Sequence, residues 1–131
     1  VTRSDDPPPD GCLMADCSLR EAIAAANATS EIDTIELPAG TYTLGRTGAG
    51  EDANASGDFD VSAPLIVRGA GRAITIVNGA DLDRLFDATA ALTLERMTLR
   101  DGRAKDEFDV LKEGGAIRIA AHTLTLNDVR I

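Results

Sequence analysis

Leu92-Thr-Leu-Glu-Arg-Met-Thr-Leu-Arg100, continued to Gly102 as LTLERMTLRDG, is the stretch on which the fold turns. Apolar and polar residues alternate on each side of Glu95-Arg96, the period of a strand with one buried face. The pattern returns 32 residues later: Leu92 matches Leu124, Leu94 matches Leu126, Met97 matches Val129 and Leu99 matches Ile131. Leu85 and Ile117 share that spacing, as do Leu65, Val67 and Arg68 with Met97, Leu99 and Arg100. A fixed period of short strands separated by Gly, Asn or Asp is the mark of a solenoid. Equivalent side chains then stack about 4.8 Å apart. The expected fold is all-β, a parallel β-helix. A β-sandwich also has many short strands, but it supplies no reason for a period, and Asn78-Gly79 is the only Asn-Gly hairpin dipeptide.

Working outward, TIEL (34–37) and TYTL (41–44) flank a Pro38-Ala39-Gly40 turn, with Ile35, Leu37, Tyr42 and Leu44 as inward candidates. Residues 45–58 have no apolar period and read as a long polar loop. Strands resume at 59–61, 65–68, 74–77 and 85–88. The charged segment 103–113 reads as an outward loop inserted in one coil.

Cys12 to Ala28, CLMADCSLREAIAAANA, is the one clear helix. Ser18 and Glu21 have the spacing of a capping box, and Leu19, Ala22, Ile23 and Ala26 form one apolar face. Asn27 is a suitable stop. A stack of strands exposes apolar interior at each end, so this helix is expected to cap the N-terminal end through Leu19 and Ile23. Residues 1–11 read as a flexible lead-in and 12–131 as the cap and first coils of a single domain. Nothing resembling a cap precedes Ile131, so the expectation is a piece of a longer protein or an open end near Ile131 that self-associates.

The chain has 131 residues and a net charge of −9, with eleven Arg and two Lys against 22 acids. That balance disfavours nucleic acid. No apolar run approaches a membrane span. Aromatics are 3 %, which suits a core of aligned Val, Ile and Leu. Cys12 and Cys17 stand five apart. A local disulfide is expected, worth roughly 2 kcal/mol in the chain-entropy picture, and it points to an oxidising, extracellular compartment. Zinc is the competing reading; it would need two further ligands, and His122 is the only histidine.

CSLREAIAAANA, then Ile35 to Leu44, GDFDV (57–61), LIVRGAG (65–71), DLDRLFDA (81–88) and LTLERMTLRDG, resemble the bacterial proteins named for their Cys-Ser-Leu-Arg-Glu-Ala motif. The resemblance covers the chain from Asp10 onward, with 103–113 longer and more charged than that pattern. It implies the N-terminal part of a secreted, right-handed parallel β-helix repeat protein of the pectin-lyase-like group, similar also to repeats of polymorphic outer-membrane proteins. Fold of this kind does not fix function.

Two sets of residues could carry chemistry. Asp52, Asn54, Ser56, Asp58 and Asp60, with Gly57 in the sixth place, match the start of a calcium loop, although Ala63 stands where a bidentate Glu belongs. Read blandly, they are a solvated turn. Asp81, Asp83, Arg84 and Asp87 are the second set: the resembled fold group includes polysaccharide lyases and hydrolases that use clustered acids, calcium and an Arg. Read blandly, these are turn and surface residues. Arg68, Arg84, Arg96, Arg100, Arg118 and Arg130 read as a structural outward series. The sequons at Asn27 and Asn54 read as chance. The expected function is a non-catalytic secreted or cell-surface module of a bacterium, a structural or adhesive stalk segment meeting a host or cell-surface glycan or protein, with no cofactor beyond weakly held calcium. The alternative is the N-terminal part of a polysaccharide lyase or glycoside hydrolase.

Overall fold

The structure is a computed structural model that describes residues 1–48, 53–104, 109–110, 113–114 and 116–131. Helix α1 (Leu19–Asn27) precedes twelve strands: β1 (Asp33–Leu37), β2 (Gly40–Thr43), β3 (Phe59–Val61), β4 (Leu65–Gly69), β5 (Thr75–Asn78), β6 (Phe86–Ala88), β7 (Leu92–Arg100), β8 (Gly102–Arg103), β9 (Asp109–Val110), β10 (Glu113–Gly114), β11 (Ile117–Ile119) and β12 (Leu124–Arg130).

β7 is the hinge of the architecture. Its first half pairs with β4 through Leu65↔Leu92 and Val67↔Leu94, and its second half with β5 through Ile76↔Thr98 and Val77↔Leu99. Both lie on one edge of β7, and β12 runs along the other. β1 and β2 extend the two arms, giving a six-stranded, wholly parallel sheet curled about β7. Between the arms sits Arg96, at φ 55°, which turns the strand without ending it. Asp128 has φ 53° and lies 32 residues on, so β7 and β12 are kinked side by side. A second sheet holds β3, β6 and β11 in parallel, with β9 antiparallel at its edge.

The expected right-handed parallel β-helix solenoid is therefore corrected to a mixed architecture: one helix, a curled parallel sheet, a four-stranded second sheet and the two-stranded pair of β8 with β10. The period does not hold across the chain. Leu92 pairs with Leu124, 32 on, but Leu65 pairs with Leu92, 27 on, and not with Met97. Arg68 faces Glu95 and not Arg100, and Ile117 faces Phe86 and not Leu85. The segment 103–113 is no plain outward loop either. Its described parts are β9, which pairs with β11, and β10, which pairs antiparallel with β8.

Side-chain rows across the strands make the core. Ile35, Val67 and Leu94 form one, continued at the sheet edge by half-buried Leu126. Tyr42, Val77 and Leu99 form another, and Phe59, Phe86 and Ile117 a third, its rings 5.5 Å apart. Each fully buried Leu or Phe contributes about 1.5–3 kcal/mol. The four inward candidates of the first two strands are all buried. Outward on β1, β4 and β7, Arg68 bridges Glu36 and Glu95 at 3.2 and 2.7 Å, a surface ladder worth little.

Helix α1 covers this core with Leu19, Ala22, Ile23 and Ala26. The capping box is present: Glu21 N–H donates to Ser18 Oγ at 3.2 Å, and Ser18 N–H donates to Glu21 Oε2 at 2.8 Å. Burial opposes ionisation of Glu21, but N–H donors from Ser18 and Asp10 outweigh it and hold the carboxyl below its ordinary range. Cys12 and Cys17 form a disulfide just ahead of the helix. The lead-in is tied down at several points, Thr2 N–H donating to the Cys17 carbonyl at 2.8 Å and Asp6 gripping Arg20. No helix among the described residues is long and apolar enough to cross a membrane.

Candidate functional site

The two residue sets singled out in the sequence meet at one place. In the second sheet, pairing of β3 with β6 sets Asp60 beside Asp87, and pairing of β6 with β11 sets Arg118 beside Asp87. Alternation sends Phe59, Phe86 and Ile117 to the other face, into the core. Asp58, one residue before β3, joins from the incoming loop. One oxygen each from Asp58, Asp60 and Asp87 lies within 4.8 Å of the other two, and all three residues are buried.

Arg84 threads this cluster. Its Nε donates to Asp58 Oδ2 at 2.5 Å, its Nη1 to Asp109 Oδ1 at 3.1 Å, and its Nη2 lies 3.1 Å from Asp87 Oδ2. Arg118 Nη1 reaches the same Asp87 oxygen at 3.4 Å. Burial alone would lower the Arg84 pKa; hydrogen bonds to Asp58 and Asp109 more than reverse that and keep it charged. Burial pushes the Asp58 carboxyl up, an effect Arg84 offsets only in part.

In its described part, the loop leading to Asp58 is held by bonds between side chains and backbone. Asn54 is spent on structure: its amide donates to the Arg20 carbonyl at 2.8 Å, and its side-chain oxygen accepts from Asp60 N–H at 3.2 Å. Asp60 Oδ2 accepts from Asn54 N–H in return, at 2.9 Å. Gly57 sits at φ +67°, where an added Cβ would lie 2.4 Å from the Gly48 carbonyl oxygen and 2.7 Å from Asp83 Oδ2. Only glycine fits there without displacing backbone. Asp52 lies outside the described residues.

Of the second set, Asp83 is buried and its Oδ1 accepts from Arg84 N–H at 2.8 Å. Asp81 stands apart: it is exposed, in a left-handed turn conformation, with its N–H on the Asp101 carbonyl. Asp83 lines a cavity of about 370 Å³ with Arg46 and Arg103, and Asp60, Asp87 and Arg118 line another of about 250 Å³. Asp109 is not among the candidates the sequence offers, and Arg118 stands there only in the structural arginine series. A signal for the acids exists: Phe-Asp occurs at 59–60, 86–87 and 108–109, and in the first two Phe is in the core with the acid beside it.

Acids this close to two guanidinium groups can hold a hard cation or brace a sheet. A hydrolytic pair is less natural, because two carboxylates acting on a glycosidic bond stand roughly 5–9.5 Å apart across an open substrate site. Comparison with protein-family models, with curated proteins and with solved structures gave no match for this chain.

Proposed function

We propose that this chain is a non-catalytic module of a secreted or cell-surface protein, structural or adhesive in role. The observation that carries the reading is the engagement of Arg84 with Asp58, Asp87 and Asp109 at 2.5–3.1 Å. The residues best suited to acid–base chemistry on a polysaccharide are committed to one another in buried ion pairs. The disulfide supports an oxidising compartment. The self-contact belongs to β12, which among the described residues pairs only with β7 and leaves its other edge open. There Leu124, Leu126 and Val129 are half-buried, while Leu92, Leu94 and Met97 beside them are fully buried. A second copy of the chain is the occupant this edge suits.

The alternative, part of a polysaccharide lyase or glycoside hydrolase, is favoured by the same acids and Arg84 if substrate were to displace Arg84. Incubation of the chain with acidic and neutral polysaccharides, read by new reducing ends and by unsaturated products, distinguishes the two. No turnover, with retention on immobilised glycan or cell-surface protein, is the expected result. Turnover that disappears in Arg84→Met would defeat the proposal.

A further inference from the structure

We propose that Asp58, Asp60 and Asp87 form a binding site for calcium. Two oxygens held by one calcium ion at about 2.4 Å stand at most about 4.8 Å apart. The three carboxylates meet that limit, each offering an oxygen within 4.8 Å of the others. The second observation is an orphan atom. Asp87 is 6 % exposed, and its Oδ2 is taken by Arg84 and Arg118, yet its Oδ1 is buried with no hydrogen-bond partner. Buried carboxylate oxygens are normally answered by a donor, a water or an ion.

Space agrees with this. Beside Asp60 and Asp87 lies a cavity of about 250 Å³, lined also by Ser62, Thr89 and Arg118, with room for the waters that complete about six to eight oxygen ligands. An all-oxygen set suits a hard cation, and both cysteines are consumed in the disulfide. The site differs from the linear loop 52–60 read in the sequence: Asn54 is excluded by its backbone bonds, and Asp87 arrives from another strand.

The test titrates calcium chloride into the chelator-stripped full chain, followed by calorimetry and by amide NMR shifts. The expected result is one saturable site with Kd on the order of 10⁻⁴–10⁻³ M, as in extracellular modules. Shifts should centre on Asp58, Asp60 and Asp87, and the melting temperature should rise with calcium. Asp60→Asn should weaken binding by at least about tenfold, because ligand charge sets affinity. Asp87→Asn, which keeps the side-chain shape, should do the same with an unchanged circular dichroism spectrum. Three results overturn the proposal: no localised shift up to about 10 mM calcium, well above such affinities; equal heats and shifts with magnesium at matched ionic strength; or undiminished binding in the folded variants. Should neither variant fold, the position of the wild-type shifts decides.

Discussion

Arg20 carries five N–H donors and has no neutral form, so its complete burial obliges the surroundings to answer all five. They do. Nε and Nη2 donate to the two oxygens of Asp6 at 2.7 and 2.8 Å. Nη2 also reaches the Gly57 carbonyl at 2.7 Å, and Nη1 the carbonyls of Asp58 and Asn54 at 3.1 and 3.5 Å. The guanidinium lies 5.0 Å from the centre of the Phe59 ring. One side chain of the helix thus ties the lead-in, the 54–58 loop and the start of β3 to a single point. Removing one partner of a buried ion pair costs about 3–5 kcal/mol, because the other charge is left uncompensated. Arg20→Lys should cost nearly as much as Arg20→Ala, since an ammonium cannot make the forked contact to Asp6 and reach three carbonyls as well. Urea unfolding of both variants checks this, with Asp6→Ala completing a double-mutant cycle. An Arg20→Lys variant within about 0.5 kcal/mol of the parent, the range of ordinary surface changes, would refute it.

At the level of elements, the helix and β7 show what local sequence can and cannot say. α1 was legible because its cap, apolar face and stop lie within one short stretch. The longer strands were legible singly, through alternation, and so was the β7–β12 register; the two-residue strands β8, β9 and β10 are too short to show any alternation. The β4–β7 register was not. Leu92-Leu94 and Met97-Leu99 both present two apolar residues at the spacing of Leu65-Val67, so either pairing buries Leu65 and Val67. Turn geometry chooses, and it rests on Arg96 in a left-handed conformation that no glycine announces. The site was half legible for the same reason: its acids stand out in the sequence, but their convergence depends on the unstated pairing of β3, β6 and β11. Arg96 also offers a clean test, being exposed, with its side-chain Nη2 donating to the Ala70 carbonyl at 2.8 Å, a bond that Arg96→Val and Arg96→Gly both remove. A β-branched residue is an outlier at such a φ. Arg96→Val should lower stability by about 1–2 kcal/mol, whereas Arg96→Gly should be tolerated. Equal melting temperatures for the two would show that β7 does not need this kink.

For the whole molecule, the balance is between an open apolar edge and a large negative charge. Interior rows are closed at one side by α1 and thin out at β12, where Leu126 and Val129 keep partial exposure and Ile131 is 47 % exposed. A seven-residue strand whose second edge has no partner among the described residues is a template for another strand. Two copies meeting edge to edge about a twofold axis would each gain backbone hydrogen bonds and bury the same residues. The net charge of −9 opposes the encounter. Repulsion between exposed charges is screened over about 10 Å at 0.1 M salt and about 3 Å at 1 M, while apolar burial is not weakened by it. Self-association should therefore strengthen as sodium chloride is raised, the opposite of an interface held by ion pairs. Sedimentation velocity across a concentration and salt series reads this directly. Val129→Lys, a charge placed on the edge strand, should return the chain to a monomer under all conditions without changing its circular dichroism spectrum. A parent chain that stays monomeric at high salt, or a Val129→Lys variant that associates as the parent does, would place the contact elsewhere or remove it.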